Sequence, residues 1–257
     1  MSRAPRLLLV PALVAAGLIG VPLVALVVRA PWPELSRALA GDEARNALGL
    51  SLVCSLSATA LSLVFGVPLA WLLARVDFPG RRLLRALVTL PMVLPPVVGG
   101  VALLLAFGRR GLLGGALGAL GIQLPFTTAG AVLAETFVAL PFLVVAAEAG
   151  FRQIDPRFEE AAAVLGAKPG FALRRVTLPL AAPALRAGAA LCWARALGEF
   201  GATITFAGSF PGRTQTLPLA VYLALEHDPD AAIALSLVLL VVSVAALVAL
   251  RDRWLGA

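Results

Sequence analysis

The ionisable side chains that lie inside otherwise apolar stretches of the chain include Glu135, Arg195 and Glu199. A charge facing lipid at mid-bilayer costs about 2.5–3.5 kcal/mol on insertion scales, so these side chains should face the protein interior. Arg195 and Glu199 are four residues apart, a spacing that places both on one face of a helix. At about 1.5 Å per residue, Arg195 should lie roughly 22 Å from the inner end of its helix. Glu135, on an oppositely directed helix, should lie at a similar depth and is a candidate second partner.

Two functions remain open for this polar cluster. In the first, the charges only clamp two helices together. In the second, they line or gate a path for an anion, which guanidinium groups and backbone N–H donors can bind. Arg195 and the backbone at Gly198 and Gly201 would supply such donors. The candidate path residues are Glu135, Arg195, Gly198, Glu199, Gly201 and Thr203.

The sequence contains no arrangement typical of an enzyme site. A Gly-x-x-x-x-Gly-Lys-Ser/Thr phosphate loop is absent, and the only lysine, Lys168, lies in the sequence GAKPG. The chain therefore cannot bind ATP in that way, and an ATP-driven process would need a partner that does. The only histidine, His227, lies beside Asp228 and is interpreted as a solvated loop residue. We predict no catalytic residue, no metal site and no cofactor.

The composition indicates the elements that must position this cluster. Of the 257 residues, 60% are hydrophobic and 14% are charged, and the mean hydropathy is +0.96. These values exceed ordinary soluble usage, so buried surface must face lipid as well as protein. An all-α polytopic membrane protein is therefore expected. Its six predicted transmembrane helices are 7–28, 47–74, about 86–107, about 127–149, about 180–208 and 231–250.

The third predicted helix contains the run LPMVLPPVVGG. Its prolines and glycines must interrupt regular helical hydrogen bonding. At membrane depth, freed backbone groups are tolerated only when they are buried in protein or line a wet cavity. This helix is therefore placed in the interior of a bundle. A further apolar piece, about 216–226, is too short to cross a bilayer alone.

The first apolar segment has a rival interpretation as a secretory signal peptide, with Ala38-Leu39-Ala40 resembling a cleavage site. Apolar cores of signal peptides run about 7–15 residues, and this segment is longer and distant from that site. Cys54 and Cys192 lie inside apolar runs, so packing is expected for both rather than a disulfide.

The basic residues predict the orientation. With the N-terminus inside, the inner segments hold 13 of the 21 lysines and arginines and the outer segments hold six. The positive-inside rule then places both termini and the 150–179 loop in the cytoplasm. The basic residues form no continuous face, so lipid rather than nucleic acid is the expected partner for the net charge of +7.

The 150–179 loop is predicted to form a helix–bend–helix hairpin. Asp155 can cap the first helix, and Pro156 is preset for the first helical position. Gly166 should end that helix. Pro169 should begin the second, with Pro179 marking entry into the next apolar segment. An apolar stripe on the first helix comprises Phe158, Ala161, Ala162 and Leu165.

The same loop resembles the EAA loop of ABC importer permeases. That pattern runs Glu-Ala-Ala, three positions, Gly, nine positions, Ile, one position, Leu-Pro, and Val176 in place of Ile is the only departure. The resemblance implies a type I ABC importer permease fold, in which the loop is a coupling helix that docks on a cytoplasmic ATPase. The rival interpretation is a hairpin that only lies on the lipid surface. The implied coupling residues are Glu159, Glu160, Ala161, Ala162, Leu165, Gly166, Leu178 and Pro179.

The stretch from Arg195 to Glu226 resembles the permease subunits of molybdate ABC importers, with Gly-Arg-Thr-Gln-Thr-Leu-Pro-Leu favouring that branch. Sulfate permeases share Gly-Glu-Phe-Gly. The resemblance implies a homodimer in a bacterial inner membrane, two ATPase subunits and an extracytoplasmic molybdate-binding protein. Sulfate or tungstate transport, or a secondary transporter or channel, are the alternatives. The expected organisation is 1–45 as the first helix and outer loop, 46–250 as the permease domain and 251–257 as a cytoplasmic tail.

Overall fold

The computed structural model describes residues 6–33, 35 and 41–251, and within these ranges it contains helices and no strand. The all-α expectation is therefore confirmed. The cleavage-like site at Ala38-Leu39-Ala40 and all but the first residue of the predicted tail lie outside the described residues.

Twelve α-helices are assigned among the described residues. They are α1 (Arg6–Val28), α2 (Asp42–Arg75), α3 (Arg81–Thr89), α4 (Pro96–Phe107), α5 (Gly114–Ala119), α6 (Thr128–Gln153), α7 (Arg157–Val164), α8 (Pro169–Ala172), α9 (Leu178–Leu197), α10 (Gly201–Phe206), α11 (Leu217–His227) and α12 (Pro229–Arg251). A 3₁₀ turn, Leu90–Met92, follows α3, and a π-helical turn, Leu173–Thr177, joins α8 to α9.

In the part of the chain that the structure describes, four helical stretches are long and apolar enough to cross a membrane: Leu9–Val28, α2, α6 and the stretch from Pro169 to Leu197. The segment Arg81–Met92 makes a fifth with α4 only if the two count as one crossing, because they are bent by 117°. The apolar helix Pro229–Ala245 is shorter. The predicted count of six spans is therefore not confirmed.

The third predicted span is interrupted where the sequence indicated. Helix α3 ends at Thr89, the 3₁₀ turn Leu90–Met92 follows it, and α4 begins at Pro96 after three non-helical residues. Proline has no N–H to donate and its ring crowds the preceding turn, so Pro95 and Pro96 cannot continue α3. Pro96 instead occupies the first turn of α4, where no intrahelical donor is needed.

The fifth predicted span, 180–208, is wrong as a continuous helix. Helix α9 ends at Leu197, Gly198 to Phe200 are not helical, and α10 resumes at Gly201. Pro179 lies in the first turn of α9, so it marks entry into this apolar segment as predicted, although the helical backbone continues into α9 without a break. The backbone runs through the π turn, whose wider spacing lets the Leu178 N–H reach the Leu173 carbonyl just before the proline.

Helices α2, α6 and α9 form the centre of the molecule. The face of α2 that packs here carries small residues, including Ser51, Cys54, Ser55, Ala58 and Ser62, all buried. Small side chains let helix backbones approach closely, which supplies packing where apolar burial gains little against lipid. Both cysteines are free and buried, as expected from the sequence.

Candidate functional site

The hairpin begins with an aspartate cap. The Asp155 carboxylate accepts a hydrogen bond of 3.0 Å from the Arg157 backbone N–H. Helix α7 begins at Arg157, so Pro156 stands one residue earlier than the predicted first helical position. The carboxylate also lies at the positive end of the helix dipole, which stabilises it there.

Gly166 ends α7 as predicted. Its φ is +82°, in the left-handed region that residues with a Cβ disfavour. The Gly166 N–H bonds the Ala163 carbonyl at 2.9 Å, and the Ala167 N–H bonds the Ala162 carbonyl at 3.0 Å. These two bonds form a Schellman motif, which satisfies carbonyl groups that the helix end would leave free. The chain then turns, and α8 begins at Pro169 as expected.

The predicted apolar stripe of α7 is mostly uncovered. Phe158 is 55% exposed and Leu165 is 88% exposed, Ala161 is exposed, and only Ala162 is half-buried. Val164, which the stripe did not include, is 87% exposed. Helix α7 thus presents an apolar surface that its own chain does not cover.

The two adjacent glutamates of α7 have different surroundings. Glu160 is exposed, whereas Glu159 is half-buried and turned towards its own chain. The Thr177 hydroxyl donates to Glu159 Oε1 at 2.8 Å, and Arg75 Nη2 lies 3.5 Å from the same oxygen. The two predicted coupling residues therefore face in different directions, because helical neighbours point about 100° apart.

Leu178 and Pro179 also differ in their environment. Leu178 packs against a core cluster that contains Phe151, Ile154 and Ala181, and Pro179 is exposed. Leu178 therefore joins the hairpin to the helix bundle.

The second candidate site is the break between α9 and α10. Arg195 Nη1 lies 2.5 Å from Glu199 Oε2, so the predicted pair forms. Glu199 lies beyond the end of α9, and its other oxygen accepts a 2.8 Å bond from the Ala202 N–H at the start of α10. Glu199 is 1% exposed, while the Arg195 side chain is 27% exposed. The carboxylate thus bridges the break, and the guanidinium group reaches an accessible space.

Glu135 on α6 is 1% exposed, as its position in an apolar helix predicted. No ion pair joins it to Arg195 in the part of the chain that the structure describes, so the expected second partnership is not found. Glu135 Oε2 and the buried Thr203 hydroxyl have no hydrogen-bond partner among the described residues. Of the other candidates, Gly198 is exposed and Gly201 is buried.

Helices α4 and α10 pack closely beside this break, with glycines where their backbones approach each other. A Cβ added at Gly100 would lie 2.6 Å from Thr205 Cβ, and one added at Gly201 would lie 2.8 Å from Pro96 Cβ. The two interrupted segments of the chain are therefore packed against each other. Pro96 and Gly100 are the residues of LPMVLPPVVGG that form this contact, whereas Gly99 faces Phe137 of α6.

Sequence reasoning missed a second group of charges, at the end of the bundle that carries the hairpin. The Arg85 guanidinium donates to Glu148 Oε1 at 2.5 Å, and Arg152 pairs with the same oxygen at 2.8 Å. Arg81 donates to the Leu73 carbonyl at 2.8 Å. Glu148 lies in an apolar segment, like Glu135, and this signal could have revealed it.

Comparisons with known proteins agree with this architecture. The sequence model of the family described as "Binding-protein-dependent transport system inner membrane component" matches residues 66–256. The molybdenum transport system permease protein ModB of Mycobacterium tuberculosis is 50% identical over 239 residues, which cover 93% of this chain and 90% of the relative. ModB of Escherichia coli (strain K12) is 41% identical over 216 residues, covering 84% and 94%.

A sulfate transport system permease protein, CysT of Salmonella typhimurium, is also similar. It is 37% identical over 213 residues, which cover 82% of this chain and 77% of the relative. Among solved structures, a bacterial alginate ABC transporter in complex with an alginate pentasaccharide-bound periplasmic protein matches with a TM-score of 0.73 at 20% identity. That match covers 95% of this chain and 90% of the other, and it shows a shared fold.

Proposed function

Because this chain belongs to the family of binding-protein-dependent transport system inner membrane components, we propose that it is the permease subunit of an ABC importer for molybdate. The substrate is inferred from the 50% identity to a molybdenum permease across 93% of the chain. Identity to the sulfate permease is lower, at 37%. Sulfate and tungstate are the alternative substrates within this family.

The chain acts as a transport subunit, with ATP hydrolysis assigned to separate partners. Two ATPase subunits would dock in the cytoplasm on the exposed apolar surface of α7. Supporting this assignment, Phe158, Val164 and Leu165 are uncovered in a segment outside the apolar spans. The proposed docking residues are Glu160, Ala161, Ala162 and Leu165, with Gly166 holding the helix end and Leu178 and Pro179 leading into α9.

A second copy of the chain and an extracytoplasmic molybdate-binding protein complete the proposed assembly. A single chain has four or five stretches able to cross a membrane among its described residues, too few to enclose a path comfortably. The alginate transporter of the same fold was solved with its periplasmic protein, which supports a soluble partner of this kind.

We further propose that the anion path passes the break between α9 and α10. Broken helices at membrane depth persist where they are buried in protein or line a cavity, and two such breaks lie side by side here. Arg195 is partly accessible and carries the charge that attracts an oxyanion, whereas Glu199 is fully buried behind it. Gly198, Gly201, Thr203 and Glu135 complete the proposed lining.

The bacterial cytoplasmic membrane is the proposed location, with both termini in the cytoplasm. Arg85 and Arg152 form one ion-pair network with Glu148, and Arg75 at the end of α2 pairs with Glu159 of the hairpin, which supports one basic, inner end. This arrangement agrees with the positive-inside rule.

Uptake measured in proteoliposomes tests the proposal. The chain is reconstituted with its ATPase and binding protein, and labelled molybdate should enter only when ATP is supplied. Unlabelled tungstate should compete strongly and sulfate weakly. Preferred uptake of sulfate would move the chain to the sulfate branch, and uptake without ATP or ATPase would indicate a secondary transporter.

A further inference from the structure

We propose that Glu159 is a positioning residue that ties α7 to the membrane helices, and that Glu160 is the one of the two glutamates that belongs to the surface facing the ATPase. This inference rests on the proposed function, since it concerns an importer whose ATPase docks on α7. Glu160 is the first residue of the EAA pattern and Glu159 directly precedes it. Within the described residues, the Glu159 side chain forms a hydrogen bond and an ion pair, and the Glu160 side chain forms neither.

Arg75 provides the first part of the tie. It is the last residue of α2, and its Nη2 lies 3.5 Å from Glu159 Oε1 and donates to the Ile154 carbonyl at 3.0 Å. Ile154 directly follows α6. One guanidinium group therefore joins the inner ends of α2 and α6 to α7. The Arg75 side chain is 13% exposed and that of Glu159 is 30% exposed, so the pair is largely shielded from water and salt.

Thr177 provides the second part. Its hydroxyl donates to Glu159 at 2.8 Å, and the residue is 1% exposed. Thr177 is the last residue of the π turn, and π turns are frequent at functional sites because their backbone spacing departs from the regular helix. Helix α9 begins at the next residue and leads to the Arg195–Glu199 pair at its other end.

Glu159 is the only α7 side chain that forms a hydrogen bond or ion pair with a membrane helix in the ranges that the structure covers. No residue of α7 is buried. A displacement of α7 by its ATPase therefore reaches α9 and the proposed path through this one polar contact and the backbone of the hairpin. Losing the contact should leave docking intact and weaken transmission.

The test compares single variants of the full importer in proteoliposomes. Thr177→Val keeps the side-chain shape but removes the donor, Thr177→Ser keeps the donor, and Glu159→Ala removes the acceptor. Glu226→Gln, an exposed glutamate on α11, is the matched control. Three quantities are measured: co-purified ATPase, ATP hydrolysis, and molybdate imported per ATP hydrolysed.

Thr177→Val and Glu159→Ala should each keep bound ATPase at the wild-type level and lower molybdate per ATP at least about five-fold. The double variant should be no worse than Glu159→Ala alone, because Glu159→Ala already removes the acceptor of the Thr177 hydroxyl together with the partner of Arg75. Thr177→Ser and Glu226→Gln should match wild type. Glu160→Ala should instead reduce co-purified ATPase.

Two results would overturn the inference while the proposed function stands. One is a wild-type value of molybdate imported per ATP hydrolysed in Thr177→Val, in an experiment where the wild-type complex itself takes up molybdate normally. The other is loss of ATPase binding in Glu159→Ala equal to that in Glu160→Ala, which would make Glu159 a docking residue. A wild-type complex without ATP-driven uptake would overturn the proposed function, and this inference with it.

Discussion

Within the proposed path, the Glu199 side chain is held by both burial and polar contacts. Its carboxylate is 1% exposed and has two partners, the Arg195 guanidinium group and the Ala202 N–H. A buried carboxylate that loses its cationic partner retains the full cost of desolvation. The pair therefore combines a structural role with the proposed role in transport, and suitable variants can separate the two.

Arg195→Ala should lower the free energy of unfolding by about 3–5 kcal/mol, because it strands Glu199. Arg195→Ala/Glu199→Gln should recover most of that loss, since the amide is neutral and can still accept from the Ala202 N–H. If Arg195 lines the path, the double variant should remain defective in molybdate uptake. Thermal melting and uptake on the same preparation distinguish these effects, with Arg186→Ala, an exposed arginine of α9, as the control.

Wild-type uptake by the stable double variant would show that the pair is only a clamp. Wild-type melting and uptake in Arg195→Ala itself would exclude both roles.

Gly166→Val tests the end of α7. A left-handed backbone costs a residue with a Cβ roughly 1–2 kcal/mol, and the Schellman bonds should be lost or distorted. ATPase co-purification or coupling of hydrolysis to uptake should fall, while the membrane bundle keeps its melting temperature. Gly170→Val is the matched control, because Gly170 has open space around it and an ordinary φ. Equal behaviour of the two variants would contradict a specific role for the bend.

At the scale of helices, the two interrupted segments depend on each other. The α4–α10 contact has no room for a side chain at Gly100, where a Cβ would lie 2.9 Å from the Ala202 carbonyl oxygen. Ala202 donates its N–H to Glu199, so this contact also fixes the start of α10. The proposed path is therefore positioned by helix packing as well as by charge.

Gly100→Ala should destabilise the protein by about 1–3 kcal/mol through overpacking and should displace α10. Molybdate uptake should fall more than ATPase binding does, because the hairpin lies at the other end of α9. Melting, uptake and co-purification are measured together with Gly49→Ala, since a Cβ at Gly49 meets nothing within 4 Å. An unchanged melting temperature and unchanged uptake in Gly100→Ala would show that the α4–α10 contact accommodates the added Cβ without loss of stability or transport.

At the scale of the whole molecule, the hairpin and the ion-pair network share one end. Cys54 and Cys192 are both 0% exposed, so reagents for surface thiols should not reach them. This property makes the natural chain a suitable background for testing its orientation.

A membrane-impermeant maleimide should label Lys168→Cys only after the cells are opened, because the hairpin is proposed to be cytoplasmic. Gln123→Cys, exposed in the connection before α6, should be labelled in intact cells. The unmodified chain serves as the unlabelled control. The reverse labelling pattern would invert the proposed orientation and remove α7 from reach of an ATPase.

Assembly gives the last prediction. An eight-residue helix is about 12 Å long, too small to bury the roughly 1,200–2,000 Å² of a stable interface. Other inner segments must therefore add contact area, and Arg82 and Leu83 on α3 are exposed and available. Native mass spectrometry of the purified complex should give two permease chains with two ATPases. A fully active permease monomer that lacks ATPase would contradict the proposal that this chain is a subunit of an ABC importer.

The sequence by itself determined the features that depend on local chemistry. Apolar composition predicted membrane helices, and the spacing from Asp155 to Gly166 predicted a capped helix with a left-handed end. Two ionisable residues four positions apart predicted an ion pair. These predictions were confirmed because they depend on interactions within a few residues of each other.

Only the tertiary structure decided which side of a helix meets another part of the chain. It turned Glu159 inward towards Arg75 and Thr177, broke the predicted fifth span at Gly198, and left Glu135 without Arg195. Arg75 and Glu159 are 84 positions apart, so no local pattern brings them together. The break needs Gly100 and Gly201 to admit the backbone of a neighbouring segment, a constraint that exists only once those segments pack.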